Sequence, residues 1–402
     1  MKKSILFVAS LTSALFAKSI IADSESGQVE PRVDTEFDTP ELGILDGNGA
    51  LENVDDALAV DPVPSWFQSW PEDLVIAPVI GRSPQLGWML TGLAGYYMDL
   101  DKNNPDARQS IVGVFGMISE NDSYVYGAGA ALHLFEDKVR IKVGAGYGDI
   151  NYTYYGTGNI INDTGISIQI RQKTPLYFAS STYRVLDSFY MGLGFLGGNV
   201  ETGFDVRYTQ PSSFADVTYD LNIAALEIPL QFDTRDHAMF PRNGWLINGR
   251  ALLYRKDLGS DVETNTFMVN FNNFRPMRER DVLALRLYLR GTGDDAPFFL
   301  KSTFGGRTDL RGYVSGRYRD RMMYATQAEY RWQYSDRWIF TGFAGFGEVA
   351  EQFSEMGENF LPAAGVGVRF VLSKKHKVGL SADFAAGNDE DTLFYFGVAE
   401  AF

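Results

Sequence analysis

From Leu74 to the C-terminus, apolar and polar side chains alternate with a period of two, the spacing of a strand with two different faces. In Val282–Arg290, Leu283, Leu285, Leu287 and Leu289 share one face, and Arg286 and Arg290 share the other. In Met322–Tyr334 the outward set is Met322, Tyr324, Ala328, Tyr330 and Trp332, against Gln327, Glu329 and Arg331. Leu221–Asp233 sets Leu226, Ile228, Leu230 and Phe232 against Glu227 and Gln231. At the end of the chain, Phe394, Phe396, Val398 and Phe402 oppose Tyr395, Gly397, Ala399 and Ala401. Glu400 breaks the apolar face and is tolerable only near an interface. Apolar side chains outside with charged ones inside inverts the soluble arrangement and predicts a lipid-facing barrel wall.

Such segments recur near 86–99, 108–119, 124–135, 138–150, 163–173, 176–186, 188–200, 219–233, 243–254, 264–275, 281–290, 322–334, 336–347, 361–372, 376–386 and 392–402. The expected fold is all-β, a transmembrane antiparallel barrel of about sixteen strands, with roughly fourteen or eighteen as the neighbouring even counts. Short turns such as Glu136-Asp137 and Ser335-Asp336 alternate with longer loops. The stretch between Arg290 and Met322 shows no clear strand and holds Phe304-Gly-Gly-Arg307 and Leu310-Arg-Gly-Tyr313. A loop of this length in a compact domain is usually functional, and its glycines and aromatics predict an ordered lid folded into the lumen.

Composition agrees. Glycine is 41 of 402 residues and aromatics are 14%, a supply of small interior and broad interfacial side chains. The mean hydropathy of -0.15 excludes a helical membrane protein but not a barrel. There is no cysteine, hence no disulfide framework.

The first residues change the picture of where the chain goes. Lys2 and Lys3 precede an apolar run from Ile5 to Phe16, as in a secretory signal peptide over residues 1–22, with cleavage after Ala17 or Ala22. Residues 23–73 carry 14 acidic side chains and one basic one, Arg32, a net of -13 within the chain's -15. Such a segment buries too little apolar surface to offset its ordering entropy, so a disordered periplasmic stretch is expected there. It lacks the Asp/Asn spacing of a calcium loop, and the negative charge argues against nucleic acid as a partner.

No catalytic constellation emerges, and the chain reads as a non-enzyme with no cofactor. His133, His237 and His376 are scattered without metal-ligand spacing, so no metal site is expected. Gly312-Tyr-Val-Ser-Gly316 has the wrong spacing for a nucleophile elbow. No phosphate loop or dinucleotide fingerprint is present.

Several motifs, ordered along residues 74–402, resemble those of the outer-membrane assembly factor superfamily, the barrels of the BamA, TamA and bacterial surface antigen type. One is Gly305-Gly306 with Leu310-Arg311-Gly312-Tyr313 and Gly316-Arg-Tyr-Arg-Asp320, similar to the family's lid loop. A second is Phe232-Asp233-Thr-Arg235-Asp236 followed by Phe240-Pro241 and Gly244, similar to its strand–turn–strand signature. Ile76-Ala-Pro78 with Ser83-Pro84 and Gly87 resembles the entry to its first strand, and Tyr155-Gly-Thr-Gly-Asn159 is a weaker match.

The resemblance implies a sixteen-stranded barrel in the outer membrane of a Gram-negative bacterium, with Arg311 reaching acids on the inner wall. Glu329 occupies the matching place on the twelfth strand. The family's next strand carries Phe-x-Asp-x-Gly, whereas this chain has Phe343-Ala-Gly345-Phe-Gly347. One anchor is therefore replaced, leaving the lid looser or held by another acid such as Asp383 or Glu227. The POTRA domains that precede such barrels, each about 75 residues in the family, do not fit into residues 23–73. Implied partners are outer-membrane lipid and nascent outer-membrane proteins, engaged at a seam between Leu86–Asp99 and Leu393–Phe402, and a homodimer is left open. Phe402 is the implied C-terminal assembly signal. A lid-gated pore and a purely structural or interaction barrel stand as alternatives.

Overall fold

A computed structural model describes residues 73–83, 85–100, 110–157, 168–205, 217–236, 240–306, 309–373, 378–388 and 392–398. The expected signal peptide, residues 23–72 of the acidic stretch and Phe402 lie outside them. Eighteen strands run in chain order. They are β1 (Leu74–Ser83), β2 (Gly87–Met98), β3 (Ser110–Ser119), β4 (Tyr124–Leu134), β5 (Val139–Tyr154) and β6 (Ile168–Leu186). β7 (Phe189–Asp205), β8 (Val217–Asp233), β9 (Gly244–Tyr254), β10 (Thr264–Pro276) and β11 (Val282–Thr292) follow. After the short pair β12 (Ser302–Phe304) and β13 (Tyr318–Asp320) come β14 (Met322–Gln333), β15 (Trp338–Ala350), β16 (Leu361–Ser373), β17 (Val378–Ala386) and β18 (Thr392–Val398).

Sixteen of these close an antiparallel barrel, and β12 and β13 form a separate hairpin. The predicted count is correct, but two assignments inside it are not. Leu74–Ser83 is a full wall strand, paired with β2 from Leu74↔Tyr96 to Ser83↔Gly87. Sequence reading placed only a strand entry there, because Pro78 and Gly81 obscure the alternation. Conversely, the described part of 163–173, from Ile168, belongs with 176–186 to one strand, β6, which runs through Thr174-Pro175 with Pro175 opposite Tyr147. The two errors offset each other.

The predicted faces are present. Ile80, Leu90, Val114, Leu193, Leu287, Phe346, Val366 and Phe384 are exposed on the outside of the wall. Arg286, Asn270, Gln327, Glu329, Arg369 and Asp383 are buried on the inside. Among the described residues no helix is long and apolar enough to cross a membrane.

β6, β7 and β8 have 19, 17 and 17 residues, well beyond the 9–12 or so that cross a bilayer. Their upper inner face joins an apolar cluster with Tyr152, Ile170, Val200 and Ile223, and the lid packs against it through Phe299 and Leu300.

Candidate functional site

The connection from β11 to β14 enters the lumen, as expected. It is more ordered than the sequence suggested, with a 3-10 turn at Phe298–Leu300 and the β12–β13 hairpin. Two groups of contacts hold it.

The outer group is aromatic and was missed by motif reading. Phe298 packs on Tyr154, Phe204 and Phe299 at centroid distances of 5.3, 5.9 and 5.6 Å. The Arg319 guanidinium lies 4.9 Å from the Tyr154 ring and donates to the Phe298 carbonyl at 2.6 Å. Arg319 is fully buried, and that burial pulls its pKa well below the usual arginine range. The available signal was the length of the apolar alternation above 150 and 200, beyond what a bilayer requires.

The inner group centres on Arg311, which is fully buried. Its guanidinium donates to Glu329 Oε2 at 2.6 Å and to Asp383 Oδ2 at 3.0 Å, and lies 3.5 Å from the centre of the Phe343 ring. Arg331 donates to Glu329 Oε1 at 2.9 Å, and Arg369 donates to Asp383 Oδ1 at 2.6 Å. Two carboxylates thus serve three guanidiniums in a site without solvent, where charge-assisted pairing offsets the desolvation of each ion.

Of the acids named from sequence, Glu329 and Asp383 contact Arg311, whereas Glu227 pairs with Arg250 at 2.7 Å. Gly345 explains why the wall acid stands elsewhere. A Cβ there would lie 2.2 Å from the Thr326 carbonyl oxygen and 2.7 Å from Leu310 Cδ1. Leu310 of the lid occupies the space that a side chain at 345 would need.

Backbone and rings complete the seat. Gly312 has φ of 119°, and a Cβ on it would meet Ala363 Cβ at 2.9 Å and Ala386 at 3.0 Å. Only glycine meets both demands cheaply. The Gly312 N–H donates to Tyr395 Oη on β18 at 3.0 Å. Gln85, between β1 and β2, donates to the Ser315 carbonyl at 2.8 Å. Tyr313 donates to the Pro362 carbonyl at 2.6 Å and accepts from the Asn388 N–H at 3.0 Å. Tyr313 also packs edge-on to Phe304 and Tyr318. Gly305 and Gly306 have φ of 100° and 147° and turn the chain so that Gly305 N–H reaches Asp309 Oδ2 at 2.8 Å.

Asp309 sits on the lid rather than on a membrane-crossing strand. Burial pushes its carboxyl up to about 6, with backbone N–H donors and Arg286 opposing the shift only in part. A raised folded-state pKa favours the protonated form, so the associated stability is fully present below the ordinary value of 3.8 and is lost as pH rises through about 6. Linkage sets the ceiling at about 3 kcal/mol. Limited proteolysis of the lid is therefore expected to be slower at pH 5 than at pH 8. In Asp309→Asn that pH dependence should disappear.

The strand–turn motif lies at the opposite end of the barrel from the lid. Asp233 receives Arg235 through both carboxylate oxygens at 2.9 Å, and Asp236 Oδ1 accepts from the N–H groups of Arg242 and Asn243 at 2.9 and 3.1 Å. Gly244 has φ of 110°, with the Thr234 carbonyl 2.3 Å from a Cβ placed there. Pro241 is buried. These residues build a turn and do not touch the lid contacts. His133 bonds Asp137 at 2.7 Å within the β4–β5 turn region, while His237 and His376 lie outside the described residues. Among the described residues, no group of His, Cys, Asp and Glu could hold a metal ion.

The wall closes where β1 meets β18. Among the described residues that junction holds one paired position, Arg82↔Phe396, while β1 and β2 pair over ten positions and β17 and β18 over seven. The expected closing pair is corrected accordingly: Leu74–Ser83, not Leu86–Asp99, faces the last strand.

A buried arginine on a lumenal lid, within a barrel closed between its first and last strands, is the arrangement on which the comparisons bear. The Omp85 superfamily domain matches residues 136–402. The chain belongs to the Omp85 superfamily. Its members are barrels of the Gram-negative outer membrane.

Among solved structures, BamA from Haemophilus ducreyi lacking POTRA domains 1–3 is similar with a TM-score of 0.60 and 15% identity, over 82% of this chain and 70% of that one. CdiB from Escherichia coli aligns with a TM-score of 0.54 and 14% identity, over 82% and 63% of the two chains. CdiB from Acinetobacter baumannii gives 0.52 and 12%, over 81% and 59%. These likenesses establish the fold of this Omp85 barrel. Among curated proteins no sequence matches it.

Proposed function

We propose that this Omp85 barrel assists the insertion or translocation of outer-membrane proteins by opening the β1–β18 junction towards the membrane. The carrying observation is that, among the described residues, β1 and β18 share a single paired position, Arg82↔Phe396. Pro78 adds to it by bringing no N–H to the β1 ladder. A sheet edge that parts there would offer its N–H and C=O groups to an incoming strand, which gains main-chain hydrogen bonds by adding to it. The partners are then outer-membrane lipid and nascent barrel proteins, and Arg311 with Glu329 and Asp383 holds the lid in place while the wall is closed.

The chain has no cysteine, so a disulfide placed across the junction is unambiguous. With cysteines at Arg82 and Phe396, oxidation is expected to stop insertion of a small barrel into liposomes, and a reductant should restore it. Insertion at an undiminished rate by the oxidised protein would refute lateral opening.

A second reading, a lid-gated pore, is favoured by a cavity of about 100 Å³ inside the wall, bordered by Arg140, Lys142, Glu227, Gln231 and Arg250. It predicts planar-bilayer conductance that rises when residues 301–320 are deleted. Neither insertion nor conductance would leave a structural or interaction role.

A further inference from the structure

At the end opposite the lid, the lumen widens into a cleft of about 280 Å³. Its walls combine Phe240, Pro241 and Ile339 with the guanidiniums of Arg242, Arg280 and Arg331, and the one acid among the lining residues, Asp336, is paired with Arg280. Exposed Arg275 at the end of β10 and exposed Arg278 on the β10–β11 connection stand nearby. The pattern is apolar and cationic together, suited to an aromatic side chain accompanied by carboxylates.

The chain supplies that chemistry at the same end. β1 starts where the β8–β9, β10–β11 and β14–β15 connections lie, because successive wall strands alternate in direction. Immediately ahead of it runs Pro64-Ser-Trp66-Phe67-Gln-Ser-Trp70-Pro-Glu72-Asp73, preceded by the rest of the acidic stretch.

We propose that residues 64–72 fold back across this mouth and dock their aromatic side chains in the cleft, with the acidic residues upstream against its arginine rim. Reach permits it. β14 lies five strand spacings from β1, about 24 Å along the wall, and eight residues from Trp66 to Leu74 span up to roughly 27 Å. Tethering keeps the local concentration in about the millimolar range without a large interface.

The docked segment also touches the lid's inner contacts. Arg331 lines the cleft and at the same time donates to Glu329, the carboxylate that holds Arg311. An acid or ring that draws on Arg331 acts on the lid from the far end of the lumen.

The test is proximity in the full chain, read separately from insertion activity, so that it stands or falls apart from the seam reading. Cysteines are placed at Ser65 and Gln333, joined by a short bis-maleimide, and scored by gel mobility. A control pairs Ser65 with Asp187, on the β6–β7 turn at the same end and five strand spacings from β1 the other way round.

Intramolecular product is expected several-fold more with Gln333 than with Asp187, falling to the control level in 1 M salt. The Arg242→Glu/Arg280→Glu double variant should also abolish the preference while retaining heat-modifiable mobility. Equal yields at the two positions, or no product at Gln333 in folded protein, would overturn the proposal. Dimer-sized product would overturn it in favour of a second copy as the occupant.

Discussion

Glu329→Gln is expected to free the lid while leaving the wall closed. The carboxylate accepts from Arg311 and Arg331 and stands 3.6 Å from Arg369, all without solvent. An amide keeps the shape but removes the charge that faces Arg311, Arg331 and Arg369. Breaking a buried pair by removing one partner costs about 3–5 kcal/mol. That is comparable to the whole free energy of seating a loop, so the lid should become protease-sensitive near 305–317. The wall ladders do not depend on Glu329 side-chain atoms, and the heat-modifiable gel shift should persist. Asp383→Asn should act in the same direction but less strongly, since Asp383 serves two arginines and leaves the 2.6 Å Arg311–Glu329 bond in place. Unchanged lid protection in Glu329→Gln would remove this carboxylate from the account of how the lid is held.

The second large effect runs against the family pattern. Gly345→Asp restores the residue type that the resemblance leads one to expect, and on charge alone a third acid beside the arginines would be stabilising. Geometry decides otherwise. The new Cβ would meet Thr326 O at 2.2 Å and the Leu310 methyl at 2.7 Å. The first is backbone of the paired strand and cannot yield without disturbing the β14–β15 ladder. The second is a lid side chain buried in the cluster with Phe304, Tyr313 and Met323. Overpacking of this kind costs about 1–3 kcal/mol, and displacing Leu310 adds about 2 kcal/mol of lost burial. The expected result is a faster-cleaved lid and a lower temperature for the heat-modifiable transition. The double variant Gly345→Asp/Leu310→Ala should recover part of the loss, because it vacates the contested space. If Gly345→Asp instead slowed lid proteolysis, the charge would outweigh the clash.

Much of the architecture is legible in the sequence for one reason: lipid on one side and a charged lumen on the other force a period of two. The alternation in Val282–Arg290 and Met322–Gln333 states which face each residue takes, and Arg311 and Glu329 were placed by it together with the lid motif. What escaped has physical causes. β1 carries Pro78 and Gly81, and β6 contains Thr174-Pro175, so breakers appear where a strand begins in one case and continues in the other. Asp383 was one of two candidate acids because alternation gives the face and not the azimuth around the barrel. Registers such as Gly367↔Asp383 bring it beside Arg369 and Arg311. The Phe298 contacts were invisible for the same reason, since Tyr154 and Phe204 lie on strands far away in the chain.

The lid makes one further demand on the molecule. Its roots are in β11 and β14, yet it is bonded to Tyr395 on β18 and to Gln85 just beyond β1. The two strands, which share one pair among the described residues, are thus tied through a third body that spans the lumen, like a beam between two doorposts. Withdrawing the beam and parting the posts are then coupled equilibria. Thermodynamic reciprocity requires that whatever strand pries the wall apart loosens the lid by the same factor by which lid release eases the wall. A client arriving from the membrane would, by this linkage, unfasten from the side a lock that lies inside.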